Sequence, residues 1–162
     1  GPLTTLLTGT ASGDTTPIAT VGGFVKLPKN NETAVMEAVA FKGPLAVNVA
    51  AMDWHSYDSG VYTGCLSTSS DTFDIDHVVQ MVGYGTDATT GLDYFTIRNS
   101  WSPTWGEGGF IRLVRHTDNP ICGDDLAPKD GTGCNNSPSK VEVCGCNGVV
   151  YDASYPTGAR FL

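Results

Sequence analysis

"DYFTIRNSWSPTWGEGGFIRL", residues 93–113, sets the reading of the whole chain. Tyr94-Phe95-Thr96-Ile97 alternates as a half-buried strand does, and Phe110-Ile111-Arg112-Leu113 repeats the pattern. Between the two runs stand one asparagine, two tryptophans and three glycines. So much aromatic surface around a single amide side chain points to more than a connection between strands.

Outward from this hairpin, further strands are expected around His77–Tyr84, Gly60–Tyr62, Val21–Leu27 and the run "LAVNVAAM", in which Leu45, Val47 and Val49 share one face. "PKNNETAVMEAVAFKGP" reads as a helix capped by Asn30 or Asn31, with Met36, Val39 and Ala40 as its apolar stripe and Gly43-Pro44 as its stop. One helix followed by many short strands predicts an α+β, mainly β chain, a small antiparallel barrel or sandwich rather than an alternating parallel sheet. Residues 1–20 form a Gly/Ser/Thr/Pro-rich lead, expected as a surface strap. Beyond Arg115 the chain is rich in Cys, Gly, Asp and Pro to about Tyr151, a loop region that would need covalent staples.

Composition narrows the function. A formal net charge of −8 with no basic patch argues against nucleic acid and anionic membrane as partners. No run approaches the roughly 20 apolar residues of a transmembrane helix. Five cysteines (Cys65, Cys122, Cys134, Cys144 and Cys146) fit an oxidising compartment, and the odd number leaves one free or paired outside the chain. Two glycosylation sequons begin at Asn31 and Asn135. The opening "GPLTTLLTGTASGDTTP" has no signal-peptide pattern and reads as a processed or internal start.

Of the three histidines, His55 sits among turn formers and His116 follows a basic strand end, so both are expected in solvent. His77 stands at the first position of an apolar strand, after the polar "DID", where an imidazole is held rigidly while one edge stays open. Two adjacent antiparallel strands would bring Asn99 beside it. An amide oxygen accepting from an imidazole N–H fixes the tautomer and orientation that a general base needs, and indoles around the bond would exclude water. On the residues alone, a core histidine, a turn asparagine and a satellite aromatic cluster explain the same positions.

"GPLAVNVAA", "YDSGVY", "DHVVQMVGYG", "YFTIRNSW" and "WGEGGFIRL", in that order, resemble the C-terminal half of papain-like cysteine peptidases, the cathepsin family. The likeness runs from Val21 to Arg115, with an echo in "DASYPTG". It implies the right-hand lobe of that fold, a barrel-like antiparallel sheet with one or two helices, divided as a lobe over 21–128, a cysteine-containing insertion over 129–150 and a final strand over 151–162. It further implies His77 as the catalytic imidazole, Asn99 as its orienting partner, Trp101 as the shield of their bond, Trp105 on the leaving-group side, and Asp76 beside the site. Two departures stand out. The family's nucleophile, a cysteine opening a helix, has no counterpart here, and Ser102-Pro103 replaces the usual glycine after "NSW".

The resemblance implies a Cys65–Cys122 disulfide, with Cys146 as the rival partner. It also implies a specificity pocket lined by Asn48 and Ile75. One alignment puts Ala127 at its base, predicting apolar preference, and another puts Asp152 there, predicting a basic side chain. A zinc site from Cys122, Cys134, Cys144 and Cys146 fits less well, because no paired Cys-x-x-Cys knuckle occurs. No cofactor or metal is expected.

Two functions follow. The first is one chain of a two-chain cysteine endopeptidase, lysosomal, vacuolar or secreted. It would be inert alone and would be joined to a nucleophile-bearing N-terminal chain, with the odd cysteine available for an interchain disulfide. The second is a non-catalytic relative serving as a disulfide-stapled binding or structural module.

Overall fold

A computed structural model describes residues 7–8, 17–66, 72–116, 121–133 and 136–162. Among the described residues there are twelve strands, β1 (Leu7–Thr8), β2 (Pro17–Thr20), β3 (Gly23–Lys26), β4 (Leu45–Val49), β5 (Val61–Tyr62), β6 (His77–Thr86), β7 (Asp93–Arg98), β8 (Phe110–Val114), β9 (Cys122–Asp125), β10 (Val141–Cys144), β11 (Ala153–Thr157) and β12 (Arg160–Phe161), with one α-helix, α1 (Glu32–Phe41). The main sheet has seven strands in the order β3-β11-β4-β6-β7-β8-β5. Every neighbouring pair is antiparallel except β5 with β8. The expected barrel is therefore not closed: the sheet is open and mixed, with β3 and β5 at its edges.

Alternation explains the layering. Leu45, Val47 and Val49 of β4 are fully buried, as are Ile97 of β7 and Ile111 and Leu113 of β8, and together they make the inner face of the sheet. α1 packs against β6 on that face. Its buried stripe is Val35, Ala38 and Val39, the i, i+3, i+4 set, and Ala40 points out, so the expected stripe of Met36, Val39 and Ala40 was rotated. Asn31 is the N-cap, its Oδ1 accepting from the Ala34 N–H at 2.9 Å. Asn31→Ala should cost about 1 kcal/mol in thermal or urea unfolding while Asn31→Asp keeps most of it.

The segment after Arg115 is more ordered than its composition suggested. β9 and β10 pair as a ribbon, Cys144 opposite Cys122, and Val143, Val149 and Val150 are buried. The disulfides are Cys65–Cys146 and Cys122–Cys144, so the implied Cys65–Cys122 pairing gives way to its rival. With the sulfurs bonded pairwise, and no metal-binding cluster among the described residues, a four-thiolate site has no basis. Cys134 and Asn135 lie outside the described residues, as does most of the lead. Of that lead, β2 pairs with β1 on one side and β12 on the other. Among the described residues no helix is long and apolar enough to cross a membrane.

Candidate active site

β6 begins at His77, which pairs with Val49 of β4, and β7 ends at Arg98, opposite Gln80. Antiparallel pairing thus puts the start of β6 and the end of β7 at one edge of the sheet. His77 and Asn99 meet there. The His77 Nε2–H donates to Asn99 Oδ1 at 3.0 Å, and since an amide oxygen only accepts, the proton on Nε2 is fixed. Nδ1 is left as the second ring nitrogen for chemistry. Asn99 is 9% exposed, and its Oδ1 also accepts from the Ser100 N–H at 2.8 Å.

The hairpin loop is held by its own backbone. The Asn99 N–H donates to the Gly109 carbonyl at 2.9 Å and the Gly109 N–H to the Trp105 carbonyl at 2.7 Å. Gly106 has φ +55°, and a Cβ there would lie 2.6 Å from the Phe110 carbonyl oxygen, so the turn demands glycine. Ser102, at the departure from the family pattern, closes the turn locally: its Oγ accepts from the Thr104 N–H at 3.1 Å. Across the base, Arg112 forks onto Glu107 at 2.7 and 2.8 Å and onto Asp87 at 2.6 Å, while Glu107 also accepts from the Gly60 N–H at 2.8 Å. The Arg112 guanidinium holds both carboxyls below the usual carboxylate range. This clamp was not anticipated, because its members are scattered over the sequence.

Trp101 stacks on His77 with centroids 5.7 Å apart and an interplanar angle of 27°. Trp105 meets Trp101 edge-on at 5.1 Å and packs on Tyr57 and Trp54, the latter fully buried. His55, which is exposed as expected, also lies beside Trp101, its ring parallel to the indole at 4.8 Å and 7°. A cleft of about 190 Å³ is lined by Ala51, Met52, His55, Asp76, His77 and Trp101. Asp76 faces this cleft with Oδ1 accepting from the Ala51 N–H at 2.9 Å. His116, expected in solvent, is half-buried.

The pocket candidates do not converge equally. Asn48 is half-buried on β4, beside Val78 of β6, and Ile75 is 2% exposed, packed with Phe73, Val143 and Tyr151. Ala127 is exposed. Asp152 is buried and accepts from Lys26 Nζ at 3.0 Å, so its charge is already met. Asp125, which the sequence reading passed over, is 1% exposed. Its Oδ1 accepts from the Ala127 N–H at 2.8 Å, while Oδ2 has no partner among the described residues. Burial pushes this carboxyl up from 3.8, and the Asp74 and Asp130 carboxylates add to the effect. A raised folded value means the fold binds the proton more tightly than the unfolded chain does. The contribution is present below pH 3.8 and is lost as pH rises through the raised value. Asp125→Asn should therefore raise the melting temperature relative to wild type more at pH 7 than at pH 4. An equal change at both pH values would refute the assignment.

The hydrogen-bonded imidazole–amide pair and its indole lie within a stretch of the chain that matches a known family. The profile "Papain family cysteine protease" matches residues 8–129. The chain belongs to the papain family. Among relatives of this papain-family chain, "Cysteine protease 1" of Oryza sativa subsp. japonica is 43% identical over 100 residues, covering 61% of this chain and 19% of that protein. Cathepsin L of Sarcophaga peregrina is 41% identical over 107 residues, covering 65% of this chain and 30% of that one. Among solved structures, the bromelain protease from Ananas comosus in complex with the E64 inhibitor matches with a TM-score of 0.61 at 30% identity, over 85% of this chain and 51% of that chain. The papain-family chain thus spans less than a third of these two relatives and about half of the bromelain chain.

Proposed function

We propose that this chain is one half of a two-chain cysteine endopeptidase, supplying the imidazole and its orienting amide to a thiol carried by an N-terminal chain of the same precursor. The observation that carries the reading is the His77 Nε2–H bond to Asn99 Oδ1 at 3.0 Å, which leaves Nδ1 to face a nucleophile. Four of the five cysteines are spent in disulfides, so none of these four is a thiolate. An interchain bond through the fifth, Cys134, would tie the halves together.

In this reading a proton passes from the partner's thiol to His77 Nδ1, giving a thiolate–imidazolium pair. The thiolate attacks the peptide carbonyl, and the imidazolium gives its Nδ1 proton to the departing amine, leaving a thioester. Neutral His77 then takes a proton from water as the hydroxide adds to the thioester carbonyl. Collapse releases the acid and restores the ion pair. Asn99 keeps the ring in register throughout. On the acyl side, pairing of Asp152 with Lys26 and burial of Ile75 favour apolar side chains over basic ones. The disulfides and the acid-favouring Asp125 suit a lysosomal, vacuolar or secreted setting.

The test is peptide hydrolysis by the assembled pair. Asn99→Ala leaves the Nε2–H without its acceptor and frees the ring, so kcat/KM should fall about a hundredfold while the chains still assemble. Unchanged kcat/KM would remove the amide from the mechanism. Absence of turnover by the intact pair would return the chain to the role of a binding module.

A further inference from the structure

Asn31-Glu32-Thr33 is an N-linked glycosylation sequon for which the mechanism above has no use. Its asparagine also caps α1, so the side chain that would carry a glycan already has a structural duty. The geometry reconciles the two. The cap is made by Oδ1 alone, which accepts from the Ala34 N–H at 2.9 Å. Nδ2 has no hydrogen-bond partner among the described residues, and Asn31 is exposed. N-linked attachment is made at Nδ2 and leaves the carbonyl oxygen an acceptor, so one amide can serve both ends.

The neighbouring residues hold the chain in place without Asn31 Nδ2. Asn30, just before the sequon, is locked: its Nδ2 donates to the Glu142 carbonyl at 3.0 Å and its Oδ1 accepts from the Cys144 N–H at 2.9 Å. Thr33, the hydroxyl residue of the sequon, is exposed. Glu32 between them pairs with Arg115 at 3.2 Å, and Arg115 pairs in turn with Asp93, the first residue of β7. Asn99 follows the last residue of that strand, so the sequon lies toward the end of β7 away from the His77 bond. An oligosaccharide on Asn31 has solvent around it rather than a packed surface.

We infer that Asn31 is a modification site that carries an N-linked oligosaccharide and, so modified, still caps α1. The inference rests on the lysosomal, vacuolar or secreted setting proposed above and is independent of the catalytic reading. In the transfer, Nδ2 forms a bond to the anomeric carbon of a lipid-diphosphate-linked oligosaccharide and gives up one proton. The bond from that carbon to the phosphate oxygen breaks, and the lipid diphosphate leaves with the electron pair. One N–H remains on Nδ2, and Oδ1 is unchanged.

The test uses the full precursor expressed in a eukaryotic secretory host, with the peptide Asn30–Lys42 followed by mass spectrometry. Amidase release of the glycan in heavy-oxygen water should convert the asparagine at position 31 to a labelled aspartate, and Thr33→Ala should abolish the label. Wild type trimmed to its first sugar should melt together with wild type made under a glycosylation inhibitor, and Asn31→Ala should melt about 3 °C lower. An unlabelled peptide with both disulfides intact, or a glycan at Asn135 alone, overturns the inference and leaves the setting standing. Label that survives in Thr33→Ala reports deamidation and also overturns it. Trimmed protein that melts with Asn31→Ala has lost the cap, which overturns it as well. An unlabelled peptide together with reduced Cys65 and Cys122 overturns the setting and the inference together.

Discussion

His77→Ala should abolish the activity of the assembled enzyme, with kcat/KM falling by about 10³ to 10⁴. In the proposed reaction the imidazole has two jobs, stabilising the thiolate and protonating the departing amine, and no other described side chain sits where it can take them over. Asp76 shares the cleft but is tied to the Ala51 N–H, and His55 is stacked on Trp101. The loss should fall mainly on kcat, because the imidazole is proposed to act in the chemical step rather than in holding the substrate. His77 is only half-buried, so its truncation should leave the melting temperature within a few degrees, and that comparison separates chemistry from folding. A variant that folds, assembles and retains wild-type turnover would mean the chemistry lies elsewhere.

The second large effect concerns stability. Cys65 and Cys146 are 81 residues apart and both almost fully buried, at 3% and 1% exposure. Removing this crosslink with the double substitution Cys65→Ser/Cys146→Ser should cost about 4 kcal/mol from the loop entropy released in the unfolded chain. The buried serine hydroxyls would add to that loss. Cys122–Cys144 closes only 22 residues, and its cysteines already face each other across the β9–β10 ribbon. Its removal should cost less, about 3 kcal/mol by the same relation, and the ribbon should offset part of that. Urea unfolding of the two double variants checks the order. Equal midpoints, or a larger loss at Cys122–Cys144, would show that the buried bond is not the principal staple.

What the sequence made legible was periodic or local. β4, β7 and β8 alternate apolar and polar residues, and they appear where that alternation placed them. A cap at Asn30 or Asn31 and the Gly43 stop were legible for the same reason, since both are chemical signals within a few positions, and the structure selects Asn31. The meeting of His77 with Asn99 needed only adjacency of two strands. What stayed hidden depends on distant partners. Cys65 has two plausible partners in sequence, and only the packing of Gly145 to Val150 under the sheet brings Cys146 to it. The run after Arg115 looked like loop because it is rich in Cys, Gly, Asp and Pro, yet Val141 and Val143 alternate well enough to form β10. His55 is exposed, as its turn-forming neighbours suggested, but its stacking on Trp101 was not legible. The signal available was Trp54, a large apolar residue in a polar turn, which implies a turn pinned to the core. Asp125 gave no signal at all, since an aspartate among aspartates reads as surface.

The most direct test of the central claim, that this chain's imidazole activates a thiol it does not itself carry, is the alkylation rate of the partner chain's cysteine at pH 5.5, with and without this chain. An unperturbed thiol near pKa 8.5 is about 10⁻³ thiolate at that pH, and pairing with an imidazolium brings the fraction close to one. The lower basicity of the paired thiolate gives back about a hundredfold in intrinsic reactivity, so the net rate should rise about tenfold. The rise should vanish with His77→Ala and shrink with Asn99→Ala. An alkylation rate unaffected by this chain, or equally raised by the His77→Ala variant, would contradict the account.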